Sequence, residues 1–218
     1  MLLNADFTKR AVVHAARIPW VSSPLAGVER RMLDRIGDEV ARATSVVRYR
    51  PGSVFSPHVH DGGEEFLVLD GVFQDEHGDY PVGSYVRNPP TSRHTPRSDT
   101  GCVILVKLHQ FSPNDRTLVR MDTNKMERVP DPERAGVSIV RLFRDARERV
   151  RIETLDPGAT TDAGDRDGYE LFVLDGTLTG IGESFEPQSW LRLPPGDRVR
   201  LEVGSAGARV WTKAGGQL

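Results

Sequence analysis

The stretch EEFLVLDG, residues 64–71, returns as YELFVLDG at residues 169–176, a shift of 105 positions. Other pieces keep nearly the same offset. Arg50-Pro51-Gly52 corresponds to Asp156-Pro157-Gly158, and VRNPPT (86–91) to LRLPPG (191–196). Further upstream, RIPW ending at Trp20 pairs loosely with RVPD ending at Asp131, and Ala26-Gly27-Val28 with Ala135-Gly136-Val137. Such an ordered series marks an internal repeat, so the chain reads as two copies of one unit that meet near residues 112–127.

Local chemistry makes each copy a β unit. ATSVVRYRPG (43–52) and ERVRIETLDPG (148–158) are rich in β-branched residues and stop at Pro-Gly, and both copies of FLVLDG or LFVLDG end at an Asp-Gly turn. Gly (21) and Pro (15) together make up about a sixth of the 218 residues and are spread throughout, which punctuates many short strands. The stretch VERRMLDRIGDEVARA (28–43) could carry helical spacing, but the repeat favours a strand–turn–strand around Ile36-Gly37-Asp38. The fold expected is all-β, a tandem pair of small barrels or sandwiches. The N-terminal unit is expected over residues 1–115 and the C-terminal unit over 125–218.

Acidic and basic side chains number 31 and 29, a net charge of −2, so no charge excess recruits nucleic acid or an anionic membrane. The longest apolar runs, such as Cys102–Val106, are far too short to span a bilayer. MLLNADFTKR interrupts the apolar stretch a signal peptide needs, so a cytoplasmic location is expected. With Cys102 alone, neither an intrachain disulfide nor a cysteine-rich zinc cluster can form.

Among six histidines, His58 and His60 stand two apart in PHVHDGGEEF. On a strand they project to one face. Glu64 follows Gly62-Gly63 and is in phase with Phe66 and Val68, while His94 follows the Pro89-Pro90 turn. Imidazoles and a carboxylate converging on one point suit a divalent transition metal.

These residues carry a family resemblance. Gly52, His58, His60, Glu64 and Gly71 resemble the first cupin motif, and Gly83, Pro89 and His94 the second. Thr91 and Ser98 stand where the second motif has glycine and asparagine, which concerns the turn rather than the ligands. With the repeat, the resemblance implies a bicupin, that is, two tandem double-stranded β-helix (jelly-roll) barrels. HVHDGGEEFLVLDGVF, GSYVRNPP and SDTGCVILVKL are most similar to the cupin sensor domain of ChrR-type anti-sigma factors. That family implies a metal held by His58, His60, Glu64 and His94, zinc first, with iron, manganese and nickel also compatible.

The second copy is expected to lack the site. The positions of His58 and His60 fall in Asp162–Asp165, Glu64 aligns with Tyr169, His94 aligns with Val199, and no histidine follows His109. Its carboxylates Asp162, Asp165, Asp167 and Glu170 read as a solvated loop before a Ca²⁺ or Mg²⁺ site. His14, His77 and His109 read as surface or packing residues, and Cys102 as a buried small hydrophobe. Lys107 and Arg93 are candidates to face the mouth of the first barrel. The arginine-rich RLFRDARERVRIE (141–153) reads as a solvated hairpin because acids interleave.

Two functional classes follow, and the sequence leaves open whether the protein is an enzyme. One is a zinc-holding sensor or regulatory module, related by resemblance to oxidative-stress transcription control. Sigma-factor binding itself is unsupported, because the cysteine-bearing N-terminal domain of those proteins has no counterpart here. The other is a non-haem metal-dependent cupin dioxygenase acting on a small diketone or aromatic ketone. No catalytic base stands out. Expected partners are a small-molecule ligand or substrate and a second copy in a homodimer.

Overall fold

The computed structural model describes residues 1–216. Regular structure is almost entirely strand, with one 3-10 turn at Ala15–Arg17. Among the described residues no helix is long and apolar enough to cross a membrane. The chain forms two compact units.

In the first unit the main sheet runs in the order Leu2–Leu3, Val28–Gly37, Ala41–Tyr49, Cys102–Leu108, Glu64–Asp75, Ser84–Asn88, Val119–Asp122. The strands Val28–Gly37 and Ala41–Tyr49 pair antiparallel from Val28↔Tyr49 to Gly37↔Ala41. The strand reading of VERRMLDRIGDEVARA is therefore correct, and Gly37 (φ 113) opens the turn. Phe66, Val68, Phe73, Tyr80, Val86, Ile104 and Val106 form one buried cluster. Each such side chain contributes roughly 1.5–3 kcal/mol by leaving water.

The second unit repeats the plan. Its sheet runs Val129–Pro130, Val137–Arg144, Glu148–Leu155, Val199–Gly215, Tyr169–Gly180, Ser189–Leu193, Ala11–His14. Glu64–Asp75 and Tyr169–Gly180 have the same length and begin with the same ten-position pattern of buried and exposed residues. Both carry an irregularity beside the Asp-Gly pair, between Val103 and Ile104 on one partner strand and between Val173 and Asp175 in the other unit. Gly71 (φ 68) and Gly176 (φ 73) are required there, because a Cβ would run into the carbonyl oxygens of Gly101 and Gly207. The all-β architecture of two tandem jelly-roll units is thus present.

The boundaries differ from the simple cut into 1–115 and 125–218. Unit one comprises Met1–Ala5 and Ile18–Lys125, and unit two takes Asp6–Arg17 together with the chain from Met126 onward. Val119–Asp122, in the stretch where the two copies were expected to meet, pairs with Ser84–Asn88, and Ala11–His14 pairs with the equivalent strand Ser189–Leu193. A bare strand edge needs a partner for its backbone groups. Which segment supplies that partner depends on tertiary pairing, not on proximity in sequence.

Candidate metal centre

Two short paired strands, His58–Val59 and Arg93–His94, set His58 directly opposite His94. His60 is fixed by the Pro89–Ser92 turn. Its N–H donates to Ser92 O at 2.9 Å, and its carbonyl accepts from Thr91 N–H at 2.9 Å. Ser92 N–H closes the turn on Pro89 O at 3.0 Å, with Thr91 in the left-handed region at φ 74. The second copy builds the same turn, Asp197 N–H to Pro194 O at 3.1 Å, with Gly196 (φ 78) at the corresponding position. Glu64 opens its strand opposite Asn88.

The three imidazoles crowd together, with ring centroids 5.1 Å apart for His58 and His60, 4.9 Å for His58 and His94, and 4.6 Å for His60 and His94. One ligand nitrogen from each lies within 4.8 Å of the others. Glu64 Oε2 is 3.4 Å from His60 Nε2 and 3.6 Å from His94 Nε2, and it accepts from Asn88 Nδ2 at 3.1 Å. Glu64 therefore approaches two of the three histidines. The structure brings the four expected residues to one place.

Each ring has one nitrogen engaged on the outside. His60 Nδ1 lies 3.0 Å from Ser92 Oγ, His94 Nδ1 3.3 Å from Asp75 Oδ2, and His58 Nδ1 3.2 Å from Ser56 O. An acceptor at Nδ1 fixes the tautomer and leaves the Nε2 lone pair to point inward, as outer partners of metal-bound histidines do. His60 Nε2 and His94 Nε2 are buried with no hydrogen-bond partner. Two buried nitrogens without partners cost free energy unless a cation satisfies them. Burial also pushes the His60 imidazole below its ordinary pKa, outweighing the upward pull of Glu64, and His94, His58 and His109 push the same way. A neutral ring is the form that ligates. The donor set therefore fits a divalent transition metal.

Asp75, Ser92 and Asn88, which hold His94, His60 and Glu64 from behind, were not foreseen. Burial would raise the Asp75 carboxyl, but hydrogen bonds from His94, the His77 backbone and Tyr80 outweigh it and hold it below the usual range. Glu64, Phe66 and Val68 share a buried face as expected, yet Asp75 is odd-numbered. The irregularity that passes from Val68↔Ile104 to Asp70↔Val103 shifts the alternation, so Phe73 and Asp75 turn inward downstream of it. Lys107 does not face the mouth. It is buried and donates to Thr44 Oγ1 at 2.9 Å, one step out of phase with the core residue Val106. Arg93 is exposed. His14 is not solitary, since it contacts Ser189 Oγ at 2.9 Å and Glu183 at 3.3 Å.

In the second unit the ladder sets Ala163 against Val199, the equivalents of His58 and His94. Ala163, Tyr169 and Val199 are buried in the apolar cluster of that unit. The carboxylates are dispersed. Asp165 pairs with Arg149 at 2.7 Å, Asp167 with Arg166 at 3.0 Å, and buried Glu170 accepts from Trp190 Nε1 at 3.1 Å. Among the described residues, the one group of histidine, cysteine or carboxylate side chains close enough to hold a metal is His58, His60 and His94.

Fold and site together define a protein of the cupin fold. Across residues 8–112 the chain matches the family described as the ChrR Cupin-like domain. No curated protein matches the sequence. Among solved structures, a Nostoc punctiforme PCC 73102 protein provisionally named a dioxygenase aligns with 13% identity and a TM-score of 0.76, over 100% of this chain and 83% of that one. The Ylba protein of Escherichia coli aligns with 14% identity and a TM-score of 0.72, over 98% and 93%. The nickel(II) complex of the bacterial pirin YhhW from Escherichia coli aligns with 12% identity and a TM-score of 0.67, over 95% and 99%. At these identities the likeness concerns the fold.

Proposed function

We propose that the protein is a bicupin whose first unit holds one divalent metal through His58, His60, Glu64 and His94, and whose second, degenerate unit holds none. The observation that carries this reading is the pair of buried, partnerless Nε2 atoms of His60 and His94 facing Glu64. A bound cation would act there as a Lewis acid or, if redox-active, as a site for oxygen chemistry.

The resemblance to ChrR-type sensor domains ranks a zinc-holding regulatory module first, and the family match over residues 8–112 supports it. One structural feature favours the enzyme instead. His58 is exposed while His60, Glu64 and His94 are buried, so the centre opens to solvent on one side. Structural zinc sites are closed, whereas catalytic ones keep a position for substrate. On this ground we put a metal-dependent dioxygenase of small diketones or aromatic ketones ahead of the regulatory module. In it the protein's own groups orient the ligands, through Asp75, Ser92 and Asn88, and keep His60 neutral.

Elemental analysis of protein purified without chelators, followed by oxygen-uptake assays of the Fe(II)-loaded protein with small diketones and aryl ketones, tests the order of the two readings. Stoichiometric uptake that His60→Ala abolishes supports the dioxygenase. Native zinc with no uptake returns the regulatory module to first place. Retention of metal by His60→Ala/His94→Ala removes both.

A further inference from the structure

The arginine-rich stretch 141–153 forms the hairpin of strands Val137–Arg144 and Glu148–Leu155 in the second unit. From sequence, its interleaved acids argue for a solvated surface. In the structure those acids are engaged. Glu148 pairs with buried Lys213 at 3.0 Å, and Glu153 with Arg134 at 2.8 Å and Arg151 at 2.7 Å. Asp145 Oδ1 accepts the backbone N–H groups of Arg147 and Glu148, both at 2.8 Å.

The arginines are set against one another. The register places Arg141 opposite Arg151 and Arg144 opposite Arg149. Like charges directly across a ladder are destabilising. Arg151 is met by Glu153 and Arg149 by Asp165, which leaves Arg141 and Arg144 as the members of each pair without a carboxylate among the described residues. Two adjoining open cavities, of about 400 and 510 Å³, share Arg144, Arg149, Arg198 and Asp165. Asp165 is taken by Arg149 at 2.7 Å. Among the described residues no carboxylate contacts the guanidinium groups of Arg141, Arg144 or Arg198. Half-buried Phe143 gives the larger cavity its apolar wall, with Ile139 and Val150 buried behind it.

The position in the fold is informative. Asp165 and Arg198 stand at the repeat equivalents of His60 and Arg93, while the interior behind them is closed by Ala163, Tyr169 and Val199. The degenerate unit has lost the metal-ligand pattern and carries guanidinium groups at the same mouth. We propose that this mouth binds a small organic anion, with Arg144 and Arg198 gripping its phosphate or carboxylate oxygens and its carbon skeleton resting on the apolar wall. Guanidinium forks match such oxyanions in a bidentate way, and a concave site of a few hundred Å³ suits a small molecule.

Calorimetric titration at constant ionic strength, with phenyl phosphate as the phosphate probe and benzoate as the carboxylate probe, tests the assignment. The comparison is between the unaltered protein, Arg144→Ala/Arg198→Ala, and Arg17→Ala/Arg116→Ala, which removes the same charge elsewhere. Saturable binding of at least one probe, weakened roughly tenfold or more in the cleft variant and unchanged in the control, is the expected result. Which probe binds tells phosphate from carboxylate. Absence of saturable binding by either, or equal weakening in both variants, overturns the proposal. Thermal melting and metal content, both expected to be unchanged, show that the cleft variant still folds.

Discussion

The Nδ1 atom of His94 lies 3.3 Å from Asp75 Oδ2, while Nε2 of the same ring lies 3.6 Å from Glu64 Oε2. One imidazole is thus held from behind by one carboxylate and presented to another. Because Asp75 also accepts from Tyr80 at 3.1 Å and from the His77 N–H at 2.8 Å, its position is fixed from several sides. Asp75→Asn weakens the hold on the His94 tautomer without removing a ligand. Metal affinity, measured by competition with a chromophoric chelator, should fall about 10–100-fold, with the strand content in circular dichroism unchanged.

Ligand loss has a stronger signature. His60→Ala and His94→Ala should each abolish stoichiometric metal in elemental analysis. Stripping the unaltered protein with chelator should lower its melting temperature. The stabilisation lost is about 2.7 kcal/mol when free metal stands at 100 times Kd. A melting temperature indifferent to chelator would contradict the assignment of the four residues.

The acid behaviour of the metal-free protein follows from His60 and Asp75. The folded state holds His60 below its ordinary 6.5, so the unfolded chain takes up that proton first. Stability is therefore full above about pH 6.5 and declines as pH falls below it. Asp75 is held below 3.8, so its contribution is present above that value and is lost as pH falls further, through its depressed pKa. Urea midpoints of chelated protein should drop in these two windows. Asp75→Asn should remove the lower one.

Thr91 occupies a left-handed conformation that glycine fills in the second copy. For a β-branched residue this strain costs roughly 1–2 kcal/mol, partly offset in a glycine variant by unfolded-chain entropy. Thr91→Gly should therefore raise the denaturation midpoint by somewhat less than about 1 kcal/mol equivalent. Gly196→Thr should lower it.

Cys102 is 3% exposed, and burial pushes its thiol up to about 11. The thiolate is the reactive form, so the native protein should resist thiol reagents at neutral pH and react stoichiometrically once unfolded. Fast labelling of the native protein would contradict the buried position of this thiol.

What was legible in the chain follows from what repeats along it. The offset of 105 residues between EEFLVLDG and YELFVLDG, with β-branched runs ending at Pro-Gly and Asp-Gly, determined two all-β units, because turn chemistry and alternation are local properties. The two-residue spacing of His58 and His60 likewise pointed both imidazoles to one side. Tertiary structure decided the rest. The irregularity near Gly71 reversed the alternation and brought Asp75 behind His94. Strand pairing gave Asp6–Arg17 to the second unit. The same pairing engaged the acids of 141–153 and left their arginines facing a cleft. Register and long-range pairing depend on which surfaces meet in space, and that information is not carried by any window of sequence.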